Sequence, residues 1–205
     1  EQYPGITESV KKSLNLIYGK LLLNWQMAGM LFGGIFWGIL GDKKGRLSVL
    51  FGSILVYSIA NILNGMVHST DSYMVLRFIS GFGLAGELGA GITLVSESMS
   101  KERRGYGTMI VATVGVFGAV VAGLMGEIIP NWRYSFFLGG GMGLALLLLR
   151  IGVFESGMFH AVKSESNIKK GNILQLFANR HSVTTYLCII FVTVPVWYVM
   201  GTLVL

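Results

Sequence analysis

Apolar residues in this chain gather into runs: residues 21–41, 47–66, 73–96, 107–129 and 136–153 are long hydrophobic stretches, and a sixth begins near Val183. An α-helix needs about 20 apolar residues to cross the hydrocarbon core of a bilayer, so each complete run predicts a membrane-spanning helix. The links between them are short and polar, apart from residues 154–182. Residues 1–20 are also polar, with Val10, Leu14, Ile17 and Leu21 at helical spacing, which predicts a short amphipathic surface helix on an external tail. The third run breaks the pattern, because it carries Arg77 and Glu87 on a backbone rich in glycine (Gly81, Gly83, Gly86, Gly89, Gly91). A carboxylate at membrane depth costs roughly 3 kcal/mol on insertion scales. Glycines let neighbouring helices approach closely, so Gly81, Gly83, Gly86 and Gly89 are predicted packing positions on a helix that lines something polar. Gly29-xxx-Gly33 and Gly34-xxx-Gly38 in the first run have the same spacing for backbone contact.

Composition agrees with an all-α polytopic membrane protein. Hydrophobic residues make up 53% of the chain and charged residues 13%, with a mean hydropathy of +0.65; soluble domains carry about twice that charge. The net charge of +6 comes from cations clustered between the apolar runs, which points to membrane topology and not to nucleic acid. The links at 42–46, 98–105 and 154–182 hold three, three and four Lys/Arg, whereas those at 67–72 and 127–135 hold none and one. Every second link is basic, so those three are predicted to face the cytoplasm and the three lysines of the N-terminal tail to lie outside, against the rule. Asn24 and Gln26, near the start of the first run, are expected to be hydrated at the interface, the alternative being that either faces a polar pathway. Arg150 is expected to snorkel to the headgroups. Cys188 stands alone and His68, His160 and His181 are scattered, so neither a disulfide, a metal nor a cofactor is expected. The chain opens Glu-Gln-Tyr-Pro and ends inside an apolar run, and both ends read as cut from a longer protein.

The first basic link reads Gly38-Ile39-Leu40-Gly41-Asp42-Lys43-Lys44-Gly45-Arg46. This closely resembles the loop motif joining the second and third helices of major facilitator superfamily transporters, with Leu47 where a further basic residue often stands. Arg77-xxx-Gly81 followed by Gly83 resembles the fourth-helix motif of that superfamily. The run through Ala85-Gly86-Glu87-Leu88-Gly89 is similar to the metabolite:proton symporters within it, with Ala85 and Leu88 as departures. Glu97 followed by Arg104-Gly105 resembles the loop of sugar and metabolite porters, with Ser100 in place of the usual proline. Trp132-Arg133 and Phe154-Glu155-Ser156 fall where similar residues stand in that branch.

The resemblance implies a helical bundle covering about helices two to seven of twelve. Residues 21–153 would then be the N-terminal bundle without its first helix, 154–182 the cytoplasmic loop between halves, and 183–205 the truncated first helix of the second half. It also implies alternating access in a bacterial inner membrane, with a small-molecule solute and a proton as partners, beside the lipid bilayer and the missing remainder of the chain. Glu87 would couple or line the pathway, since burial raises an acid's pKa; the alternative is a carboxylate permanently paired within the bundle. Arg77 is either an interface anchor or an anion or proton-pathway contact, and ten residues along the helix it is not expected to pair with Glu87 directly. Gly38, Asp42, Lys43, Gly45, Arg46, Glu97 and Arg104 would form the cytoplasmic gate, their charge partners lying in the second half. Uptake of an organic acid, sugar or similar metabolite leads. Drug export is disfavoured because the run 107–129 has no internal proline. An intramembrane enzyme would need paired carboxylates or a His with a nucleophile at one depth, and Glu87 stands alone there. A non-transporting sensor is not excluded by sequence.

Overall fold

The computed structural model describes residues 8–149, 177 and 179–191. Five helices follow one another: α1 (Glu8–Lys44), α2 (Arg46–Met66), α3 (Thr70–Ser98), α4 (Arg104–Ile128) and α5 (Trp132–Leu149). Of these, α2, α3, α4 and α5 are long and apolar enough to cross a membrane. The expected first span lies inside α1, where Asn24, Gln26 and several glycines lower the mean hydropathy. The expected break between a tail helix and that span is absent, and α1 is continuous for 37 residues, about 55 Å at 1.5 Å per residue. Gly19 stands beside the expected boundary but stays within the helix, and residues 13–20 extend α1 into a mostly exposed segment. The expected inter-half loop lies almost wholly outside the described residues. Of the sixth run, residues 180–191 are helical, begun by Asn179, whose Oδ1 accepts from the His181 backbone N–H at 3.2 Å.

Glycines set how the helices meet. α1 and α3 run parallel, and their contacts step by four residues on each helix. A Cβ at Gly29 would strike the backbone of Phe78, one at Gly33 the backbone of Phe82, and one at Gly86 the ring of Trp37. The notch therefore changes sides along the crossing: small residues on α1 receive α3 at two levels, then small Gly86 on α3 receives Trp37. Trp37 Nε1–H donates to the Phe82 carbonyl at 2.8 Å, which fixes the ring in the crossing. Gly81 lies against the Gln26 carbonyl, and Gly83 against Ser53 and Tyr57 of α2. On the far side of α2, Gly140 and Gly143 of α5 meet Ser58 and Ile62. The buried core is accordingly small, with Trp37, Val49, Leu50 and Ala90 packed together.

The expected packing role does not extend to every glycine. Gly34, Gly38 and Gly89 have nothing within 4 Å of a built Cβ. Gly34 is one residue from Gly33, a rotation of about 100°, which turns it off the α3 face. Gly89 is likewise three residues past Gly86 and beyond the reach of Trp37. On α4, only Gly107 is buried.

The α1–α2 link is one residue, Gly45, at φ 100°, where a side chain would be strained. An ion pair from Arg46 to Glu97 puts this link at the same end of the bundle as the α3–α4 turn. A hydrogen bond from Arg133 Nη1 to the Gly65 carbonyl, at 2.9 Å, brings the α2 and α5 termini together at the other end. The basic links at 42–46 and 98–105 thus share one end of the bundle.

Candidate functional site

Two clusters of polar side chains stand out, each built around an arginine. At the basic end, Arg46 Nη1 is 2.9 Å from Asp42 Oδ1, four residues before it and across the Gly45 turn, and Nη2 is 3.3 Å from Glu97 Oε1 on α3. The Arg46 and Glu97 side chains are each 19% exposed, while Asp42 is 47% exposed. These three expected gate residues are partnered with one another inside this bundle. The pairing follows from the single-residue turn at Gly45, which starts α2 directly under the end of α1. Arg104 opens α4 and its Nε–H donates to the Met99 carbonyl at 3.3 Å. Lys43 is exposed in the last turn of α1. In the α3–α4 turn, the carboxyl of Glu102 is held below the usual carboxylate range, first by its own backbone N–H, then by the Ser100 hydroxyl and the charge of Arg104. Beside this cluster a cavity of about 150 Å³ is lined by Gly34, Gly38, Gly89, Trp37, Arg46 and Thr93. Three of the open glycines thus shape a recess.

The second cluster lies between the ends of the bundle. Arg77 on α3 donates through Nη1 to Gln26 Oε1 of α1 at 3.0 Å, and through Nη2 to the Tyr73 hydroxyl at 2.7 Å. Its guanidinium lies 4.6 Å from the Phe136 ring centroid and 5.0 Å from that of Tyr73. Cation–π contacts of this kind contribute about 0.5–2 kcal/mol. One helical turn along α3, the buried hydroxyl of Ser80 donates to Asn61 Oδ1 of α2 at 3.3 Å. Gln26, Asn61, Arg77, Ser80 and Tyr57 together line a cavity of about 280 Å³, closed on the α5 side by Phe136 and Gly139. Glu87 is half-buried on α3 and is not among the residues lining this cavity. Arg77 and Glu87, the two expected pathway residues, are therefore not brought into one pocket.

Gln26, Tyr57, Ser80 and Phe136 were not picked out as site residues from the sequence. Ser80 could have been, since it is three residues from Arg77 and seven from Glu87 and so shares their side of the helix. Among the described residues no group of three His, Cys, Asp or Glu is placed to hold a metal ion.

The described helices thus enclose a cavity lined in part by polar side chains, with a cluster of ion pairs at one end of the bundle. The sequence model of the Major Facilitator Superfamily matches residues 4–205, and the chain belongs to that family. It is an integral, multi-pass membrane protein of a family of transporters, not enzymes. A Bacillus subtilis protein named for niacin/nicotinamide transport is 27% identical over 80% of this chain and 43% of its own length. The niacin transporter NiaP of Acinetobacter baylyi is 34% identical over 55% of this chain and 26% of its own. The sialic acid transporter NanX of Escherichia coli is 30% identical over 73% of this chain and 37% of its own. The chain spans at most 43% of the length of these curated relatives.

Proposed function

We propose that this chain is part of a secondary active transporter that takes up a small metabolite together with a proton, by alternating access. The observation that carries this reading is the cavity of about 280 Å³ around Arg77, lined by residues of all five helices. A pathway through a bilayer needs polar groups at depth that are held by the protein and still able to meet a solute. Gln26, Asn61 and Ser80 meet that need, and the names of the relatives, niacin and sialic acid among them, describe small polar metabolites of suitable size.

Glu87 is the acid for coupling. Its helix is the one that joins α1 to α2 and carries Arg77, so protonation there acts on the element that shapes the cavity. Arg46, Asp42 and Glu97 form the gate on the cytoplasmic side of a bacterial inner membrane, with Lys43 and Arg104 adding positive charge around it. The ion pairs hold the end of α1 to the end of α3 and exchange partners when that side opens.

The test is solute-driven proton movement, followed with a pH-sensitive dye in vesicles containing the full reading frame. The reading predicts alkalinisation outside on adding solute, and loss of that signal in Glu87→Gln with unchanged expression and binding. Uptake that proceeds without any proton movement would contradict the coupling.

A further inference from the structure

Every fourth residue of a helix keeps to one face. Along the face of α1 that meets α3 these residues are Gly29, Gly33, Trp37 and Gly41, three glycines and one large side chain. We infer that the Trp37 indole is a spacer that holds the end of α1 off α3, and so sets how firmly the Arg46–Glu97 pair closes the basic end. The inference rests on the reading of that pair as a gate and names a residue that positions it.

The contacts change character at Trp37. At Gly29 and Gly33 the backbone of α3 lies directly against α1, at Phe78 and Phe82. One step further, a Cβ on Gly86 of α3 would meet the Trp37 indole and the Ser53 side chain. At the next step, a Cβ on Gly41 would meet Arg46 and Val49 of α2 in place of α3. The two helices thus touch backbone to backbone before Trp37 and part after it.

The ring is fixed from several sides. Its Nε1–H bonds the Phe82 carbonyl at 2.8 Å, Phe36 stands edge-on at 5.2 Å, and Gly52 of α2 lies against it. It is 7% exposed. A side chain packed this closely passes its width on to the helices around it. The parting it enforces opens the recess of about 150 Å³, bordered by Gly38 and Gly41 of α1 and by Gly89 and Thr93 of α3.

The ion pair beyond the recess fits that spacing. Arg46 reaches Asp42 at 2.9 Å, within the range of a charge-assisted hydrogen bond, whereas its contact with Glu97 on α3 stays at 3.3 Å. The looser tie is the one between helices, which suits a contact that breaks in each cycle. With a small residue at position 37, a ladder of small residues would run unbroken from 29 to 41, and such ladders draw membrane helices into close contact.

The experiment uses vesicles bearing the full reading frame in a Cys188→Ser background. Gly89→Cys, at a position where an added side chain meets open space, is reacted with a maleimide, and the labelling rate is compared between residues at position 37. Trp37→Ala is expected to slow labelling about tenfold, the change that one strengthened charge-assisted hydrogen bond makes in an equilibrium. Trp37→Phe keeps a ring in place and labels close to the wild-type rate. Trp37→Leu, of intermediate width, gives the same ordering where Trp37→Ala does not fold. A ring that serves only as core packing predicts the reverse, because its removal loosens the helices. Labelling as fast or faster in Trp37→Ala and Trp37→Leu therefore overturns the inference, as does a Gly89→Cys that resists labelling in every background. Adding Glu97→Gln to Trp37→Ala is expected to restore fast labelling by removing the tie. Slow labelling that persists there keeps the spacer and overturns the reading of the pair as a gate.

Discussion

The Arg46 corner and the Arg77 cavity are built from similar parts and differ in what completes them. Each places an arginine where α3 meets α1 or its continuation. Arg46 is neutralised within the bundle by Asp42 and Glu97. Arg77 is held by an amide, a phenol and two rings, and faces a cavity. A cation with its own counter-charges is a clasp, able to fasten two helix ends and let go.

Both regions depend on the α1–α3 crossing, so the largest effect comes from forcing those helices apart. Gly29→Val or Gly81→Val drives a side chain into the backbone of the facing helix. The expected loss is about 3 kcal/mol or more, read as collapse of the monodisperse peak in detergent and loss of both binding and gating. Next comes Arg46→Ala, which leaves Glu97, 19% exposed, without that cation. A cost of about 2 kcal/mol is expected after discounting for partial exposure, measured by thermal unfolding in detergent, with solute affinity changed little. Trp37→Phe removes the hydrogen bond to the Phe82 carbonyl and is expected to cost about 1 kcal/mol in the same assay. Smallest of all are Gly38→Ala and Gly89→Ala, where the added methyl enters open space. Their stability is expected to stay within about 0.5 kcal/mol of wild type. A large loss there would show that these glycines pack as the α1–α3 pair does.

Much of the frame was legible because it rests on local rules. The apolar runs 47–66, 73–96 and 107–129 overlap α2, α3 and α4, whereas the Asp42–Arg46 pair was not read from the sequence, because it crosses the Gly45 turn between two helices. What the sequence could not show was which face of each helix meets which neighbour. Gly33 and Gly34 are adjacent and identical in kind, yet only Gly33 touches α3. Gln26 reads as an interfacial, hydrated residue until its partner, 51 positions away, is brought beside it. Glu97 gives no local sign of its partner, and the turn at Gly45 brings Arg46 to it. Tertiary contact decided each of these cases, and no local pattern carries that information.

The central claim, that the Arg77 cavity is where solute binds and the Arg46 corner is not, has a direct test in thiol labelling. Gly139 lines the first region and Gly38 the recess beside the second, and a side chain at either meets open space. In a Cys188→Ser background, Gly139→Cys and Gly38→Cys would be reacted with a maleimide at low temperature, with and without the solute found to be transported. The account predicts that the solute slows labelling at position 139 in proportion to its occupancy, and that no occupancy-matched protection appears at position 38. Equal labelling at 139 with and without saturating solute, or protection at 38 alone, would contradict it.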